Sequence, residues 1–116
     1  MTITLYGIKN CDSVKKAKKW FEAEQIDYTF HDFRSDGIDS GWLAAAEKKV
    51  GWEVLLNKRG TTFRQLDDET KQSLNQTSAL NLMLEQPTLI KRPVVQNDED
   101  FTVGFNPTLF ADTYSA

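Results

Sequence analysis

The chain has 116 residues, with 14 Lys and Arg against 17 Asp and Glu, one His and one Cys; that length suits a single domain spanning 1–116, able to bury about two-thirds of its unfolded surface without disulfide or metal staples. A net charge of −3 argues against non-specific binding to nucleic acid or an anionic membrane surface, no run approaches the ~18 apolar residues of a membrane span, and one His with one Cys cannot build a zinc site. A lone cysteine cannot close an internal disulfide and suits a reducing cytoplasm, and the stretch Met1–Leu5 shows no charged n-region and apolar h-region of a secretion signal.

Thr2-Ile3-Thr4-Leu5-Tyr6 alternates β-branched, apolar and aromatic residues and predicts a strand ending at Gly7. A helix is expected over residues 12–24, capped by Asp12 or Ser13, with Val14, Ala17 and Phe21 as its buried stripe and Lys15, Lys16, Lys18 and Lys19 toward solvent. Residues 26–33 alternate again, placing Ile26, Tyr28 and Phe30 on one face and His31 on the other. Strand, helix and strand within about 30 residues make a βαβ unit with parallel neighbours. After the turn Arg34-Ser35-Asp36-Gly37 the pattern is helical over about 38–88. Asp39 caps a helix carrying Trp42, Leu43, Ala46 and Val50 that Gly51 stops, and Trp52, Val54, Leu55 and Leu56 form an apolar turn. Residues 57–64 read as a polar loop, Asp67 or Asp68 caps a brief helix, and Thr77 opens another that Pro87 ends. Residues 90–95 read as a strand with Pro93 near its start, 97–100 as a turn and 101–105 as an antiparallel partner. Asn106 then caps a final helix with Pro107 at its first position, running to Tyr114.

The chemistry concentrates at the junction of the first strand and helix, where Lys9-Asn10-Cys11-Asp12-Ser13 holds the only thiol. Helix N-terminal amides lack intrahelical acceptors and, with the macrodipole, place partial positive charge there. Such a setting can lower a cysteine pKa from about 8.5 into the range of about 3.5–7.5. Lys9, Lys15 and Lys16 are expected to add to the effect and Asp12 to oppose it, which predicts a moderate shift. A lone cysteine is often just a small buried hydrophobe; this one stands in a polar loop, which points to reactivity. His31, beside Asp32 at a strand end, reads as a surface residue, since nothing ties it to Cys11.

A βαβ half, a helical insertion and then a β-hairpin plus helix is the order of the α/β thioredoxin-like fold. Together the segments Leu5-Tyr6-Gly7-Ile8-Lys9-Asn10-Cys11, Arg59-Gly60-Thr61-Thr62-Phe63-Arg64, Ile90-Lys91-Arg92-Pro93 and Val103-Gly104-Phe105 resemble the arsenate reductase/Spx family in its YffB-like branch. The resemblance implies a cis peptide between Arg92 and Pro93, Arg92 beside the Cys11 thiolate as a second catalytic residue, and the backbone around Pro93 presented to a bound thiol or peptide. Lys9, Asn10 and Arg59 join Pro93 as expected substrate-binding residues, with Arg64 structural.

The departures from the family bear on function. The arsenate reductases use two further arginines, one directly after a leucine pair and one before a late proline; here Asn57 follows Leu55-Leu56 and Asn106 precedes Pro107. A tetrahedral dianion needs several convergent donors, so arsenate reduction is not expected. Spx-type regulators carry a second cysteine where this chain has Val14. With no bound cofactor and no resolving cysteine, the leading expectation is a monothiol oxidoreductase with glutathione as co-substrate, working with glutathione or glutaredoxin. The alternative is a Spx-like regulator without enzymatic activity, docking on a protein such as RNA polymerase.

Overall fold

Alternation in the first strand sets the layers of the fold. In the computed structural model, which describes residues 2–114, strand β1 (Ile3–Gly7) buries Ile3, Leu5 and Gly7 and leaves Thr4 and Tyr6 half-buried. It pairs in parallel with β2 (Thr29–Asp32), setting Leu5 opposite Phe30 and Tyr6 opposite His31. On its other side it pairs antiparallel with β3 (Val94–Asn97), setting Leu5 opposite Val95. Strand β3 in turn pairs antiparallel with β4 (Asp100–Val103). The sheet order β2-β1-β3-β4, with helix α1 (Asp12–Ala23) joining the parallel pair and α7 (Pro107–Tyr114) following the hairpin, is the thioredoxin-like fold expected from the sequence.

The face of the sheet bearing Ile3, Leu5 and Val95 packs with Val14, Ala17 and Phe21 of α1 and with Phe110 and Tyr114 of α7. The stripe read at positions 14, 17 and 21 is therefore the buried one. Asn106 caps α7 as its chemistry suggested, its Oδ1 accepting from the amides of Thr108 (2.9 Å) and Leu109 (3.1 Å). The Tyr114 and Thr102 hydroxyls, 2.8 Å apart, tie the end of α7 to β4.

Contacts divide the chain into two units, one built from the chain up to Asp36 together with the chain from Arg92 onward, the other from Gly37–Lys91. The second contains α2 (Ser40–Val50), the single turns α3 (Trp52–Leu55) and α4 (Thr61–Arg64), α5 (Asp68–Gln72), α6 (Gln76–Glu85) and a 3₁₀ turn at Pro87–Leu89. Asp39 caps α2 through the Trp42 amide, and Gly51 ends it at φ +89°, a conformation that only glycine adopts without strain. Asp67 caps α5 through Thr70.

Several boundaries differ from the sequence reading. Helix α1 is led by Cys11 rather than capped by Asp12 or Ser13, and it ends at Ala23. Strand β2 starts only at Thr29, because Gln25 turns at φ +57° and the Ile26 amide bonds back to Phe21 O, holding that stretch to the end of α1. The supposed loop 57–64 closes into a helical turn at Thr61, with Thr62 and Thr88 hydroxyls 2.9 Å apart. Asn75, in a reciprocal capping box with Ser78, opens α6 in place of Thr77. The strand read over 90–95 begins at Val94; Ile90 instead bridges to Leu56, and the Lys91 amide donates to Leu55 O.

Gly7 lies close against α1: a β-carbon there would lie 2.5 Å from Val14 Cγ2. Valine is stiff about χ1 and Val14 is fully buried, so the clash has no cheap exit. Gly7→Ala is expected to cost about 1–3 kcal/mol through overpacking, read as a lower urea midpoint with an unchanged slope. A loss under about 0.5 kcal/mol would mean that α1 can shift to make room.

Candidate active site

Strand β1 delivers the chain to buried Ile8, then Lys9 and Asn10 form an exposed turn, and Cys11 enters α1 as its N-cap with extended backbone (φ −123°, ψ 127°). Its carbonyl accepts the first helical hydrogen bond, from Lys15 N at 3.0 Å. Cysteine is a poor capping side chain, and the place a capping oxygen would take is filled by sulfur, which meets the Val14 amide of the first helical turn.

The partly buried Cys11 Sγ lies 3.2 Å from Ser13 Oγ, and Ser13 Oγ donates to the carbonyl of Arg92 at 3.2 Å. Arg92 precedes Pro93 through a cis peptide; Pro93 is fully buried, and its carbonyl accepts from Gly104 N at 2.8 Å. The segment leading into β3 is thus held against the start of α1. Burial pushes the Cys11 pKa up, but the Ser13 hydroxyl, the Val14 amide and the Arg92 guanidinium, by hydrogen bond and by charge, outweigh it and leave the thiol below its ordinary value.

The cation acting on the sulfur is Arg92. The expected help of Lys9, Lys15 and Lys16 and the opposition of Asp12 do not arise; all four side chains are exposed, and none contributes to the shift. Asn10 is exposed beside Lys9. Arg59 lies in the second unit, exposed, its amide donating to Asn57 Oδ1 at 3.2 Å. With Lys58 and Lys91 it lines a cleft of about 430 Å³ within that unit. Arg64 offers its carbonyl to Lys71 Nζ at 3.0 Å. His31 packs its ring 4.9 Å from Tyr6 and 6.1 Å from Phe33.

Ser13 is the residue the sequence reading passed over as a mere cap. The usable signal was its spacing: two residues after a helix-leading cysteine, a side chain can turn back toward the sulfur.

Because the thiolate is the nucleophile, alkylation of Cys11 should fall as pH drops through its folded pKa, with a midpoint below that of a free cysteine. Arg92→Gln, which removes the charge, is expected to raise that midpoint and slow alkylation at neutral pH. An unchanged pH profile in the variant would show that Arg92 does not act on the sulfur. The sign of the linkage follows: a depressed thiol pKa favours the folded state above the unfolded pKa, and that contribution is lost as pH falls through the folded one.

Residues 6–113 match the ArsC family. An uncharacterized Haemophilus influenzae protein is 53% identical over 104 residues, covering 90% of this chain and 91% of its own. The global transcriptional regulator Spx 2 of Bacillus anthracis is 30% identical over 107 residues, covering 90% and 80%. Among solved structures, a YffB protein superposes with a TM-score of 0.94 at 43% identity, covering 98% of this chain and 100% of its own. An arsenate reductase-related protein from Brucella melitensis gives 0.81 at 46% identity, covering 100% and 97%. Family match, whole-length likeness and a cysteine at the strand-to-helix junction agree: this chain belongs to the ArsC family.

Proposed function

We propose that the protein is a monothiol oxidoreductase that uses glutathione. The observation that carries the reading is a single thiol at a helix N-terminus, its pKa lowered by Ser13, Val14 and Arg92, in a chain with no second cysteine. The Cys11 thiolate attacks one sulfur of a substrate disulfide; that S–S bond breaks, a mixed disulfide with Cys11 forms, and the departing thiolate takes a proton from solvent. Having no partner within the chain, the mixed disulfide is resolved by an external thiolate. Two glutathione molecules then become glutathione disulfide as one substrate disulfide becomes two thiols, so atoms and electrons balance.

Lys9 and Asn10, exposed just before Cys11, and the backbone at Pro93 are proposed to receive the glutathione backbone and a carboxylate. Arg59 is proposed to contribute a further cation, tested by a raised KM for glutathione in Arg59→Ala. Asn106, where the family resemblance would set an arginine for arsenate, spends its side-chain oxygen on the amides of α7, which supports a thiol substrate over an oxyanion. No helix among the described residues is long and apolar enough to cross a membrane, and we place the reaction in the cytoplasm, where glutathione keeps thiols reduced.

The test is intact mass after incubation with glutathione disulfide, followed by turnover of a mixed disulfide with glutathione. One glutathione per chain, lost on adding free thiol, is the expected result; no adduct and no turnover would end this reading. The 30% identity to Spx 2 favours one other reading, a regulator that binds a protein partner such as RNA polymerase, with the exposed Lys15, Lys16 and Lys19 as contacts. Its mark would be partner binding that survives replacement of Cys11.

A further inference from the structure

The cleft of about 430 Å³ within the Gly37–Lys91 unit is a second place where the chain gathers charge. Its two walls are pinned to each other. Leu56 bridges to Ile90, and on either side of that bridge the Asn57 amide donates to Leu89 O at 2.8 Å and the Lys91 amide to Leu55 O at 2.7 Å. Lys58 and Arg59 on one wall therefore keep a fixed register with Lys91 on the other, and little ordering is left for a ligand to offset. The volume suits a small molecule, since ligand clefts run from about 300 to about 1,000 Å³.

The lining is rich in donors and poor in acceptors. Arginine and lysine side chains only donate, and Asn57 spends its Oδ1 on the Arg59 amide at 3.2 Å, which leaves the carboxamide N–H pair. Among the described residues, the Arg59 guanidinium and the Lys91 ammonium take part in no ion pair, and the Lys58 ammonium sits 5.9 Å from the centroid of the Trp52 ring. Glu53 is the one carboxylate of the lining, and Val54, 48% exposed, gives it apolar surface. Three cations against one carboxylate stand out on a chain of net charge −3. Gathered like charges repel, and a bound anion removes that cost.

The geometry points to a binding site for a small organic phosphate, its phosphate monoester held by Lys58, Arg59 and Lys91 and a hydroxyl of its carbon body donating to Glu53. Donors arriving from two walls suit a tetrahedral group, whose oxygens accept from diverging directions, better than a carboxylate that accepts near its own plane. A monoester carries a charge of about −1.5 to −2 at neutral pH, which matches the excess of positive charge. Neither Cys11 nor Arg92 lines the cleft. Arg59, assigned above to a glutathione carboxylate, is shared, so the two ligands are expected to compete. Binding of the phosphate itself needs neither Cys11 nor glutathione and is measured without them, so a failure of the glutathione reading and a failure of this site are seen separately.

The experiment follows backbone amide and indole NMR shifts while glycerol 3-phosphate is added in low salt at about pH 7.5. Saturable shifts over residues 53–59, at Lys91 and at the Trp52 indole are expected, half-complete below about 1 mM, the upper end of common substrate affinities. At about pH 5.5 binding should weaken about fourfold, because the second phosphate ionisation lies near pH 6 and no histidine lines the cleft. Tartrate, a hydroxylated dicarboxylate that stays doubly charged across this range, and inorganic phosphate, which has no carbon body, should each bind at least about threefold more weakly. Arg59→Gln and Lys91→Gln, at exposed side chains, should each weaken glycerol 3-phosphate about three- to tenfold with thermal unfolding unchanged. Cys11→Ser should bind it as the native protein does. Tartrate or inorganic phosphate binding as tightly as the ester overturns the assignment, as do two glutamine variants that bind like the native chain. Loss of binding in Cys11→Ser moves the ligand to the thiol and overturns it as well.

Discussion

Cys11→Ser is expected to fold at least as stably as the native chain and to exchange no disulfide at all. Both halves follow from the position of the residue. Cys11 is the N-cap of α1, and its sulfur is a weak acceptor for the Val14 amide, whereas serine is among the best capping residues and is worth about 0.5–2 kcal/mol over a non-capping side chain. Cys11 is only partly buried and packs at the margin of the core, so little apolar area is lost. A serine hydroxyl cannot replace the thiolate in disulfide exchange, and no second thiol exists to stand in for it. Thermal unfolding together with mixed-disulfide turnover checks the prediction. Residual turnover in a well-folded variant would move the chemistry away from Cys11, and a large drop in stability would make the cysteine a packing residue after all.

Phe21→Ala carries the largest expected loss of stability, about 3–5 kcal/mol, the usual range for deleting a buried phenylalanine ring. Phe21 is fully buried and its ring lies 5.4 Å from those of Trp20, Phe110 and Tyr114 and 5.5 Å from that of Tyr28. Removing it leaves a cavity where α1, α7 and the sheet meet, and it also removes aromatic pairs worth about 0.5–1.5 kcal/mol each beyond their area. Against a total of about 5–15 kcal/mol for a protein domain, the variant is expected to be marginal, with much of the chain unfolded at 37 °C if the native value is near the lower bound. Urea unfolding measures it. Val54, 48% exposed, supplies the contrast: Val54→Ala should stay within about 0.5 kcal/mol. Equal losses at the two positions would contradict the core described above.

What could be read from the residues was what short-range chemistry decides. Val14, Ala17 and Phe21 announced a helix face by spacing, and Asp39, the pair Asp67-Asp68 and Asn106 announced caps because a short acceptor side chain bonds amides two or three residues on, Asp67 being the one of its pair that does so. Thr77 was read in place of Asn75 because both can cap, and only the reciprocal bond with Ser78 separates them. Long-range partners stayed hidden. Ile90 has the apolar, β-branched character of the strand that follows it, yet it bridges to Leu56, and nothing local says so. The turn at Thr61–Arg64 has no side-chain cap, which left its sequence looking like a loop. In the site, Cys11 was legible from its junction, but Ser13 and the carbonyl of Arg92 are 79 positions apart, and only the folded chain brings them together.

The placement of β3 between β1 and β4 has a consequence for the timescale of the site. Arg92 and Pro93 lead directly into an inner strand of the sheet, where Val94 and Val95 are fully buried. Amide protons of such an inner strand exchange with solvent only when the whole cooperative unit opens, whereas exposed turns such as Lys9-Asn10 exchange by local fluctuation. The two walls of the thiol site should therefore differ in lifetime by orders of magnitude: the side bearing the carbonyl keeps its shape for as long as the protein stays folded, and adaptation to differing substrates falls to the loop that carries the sulfur.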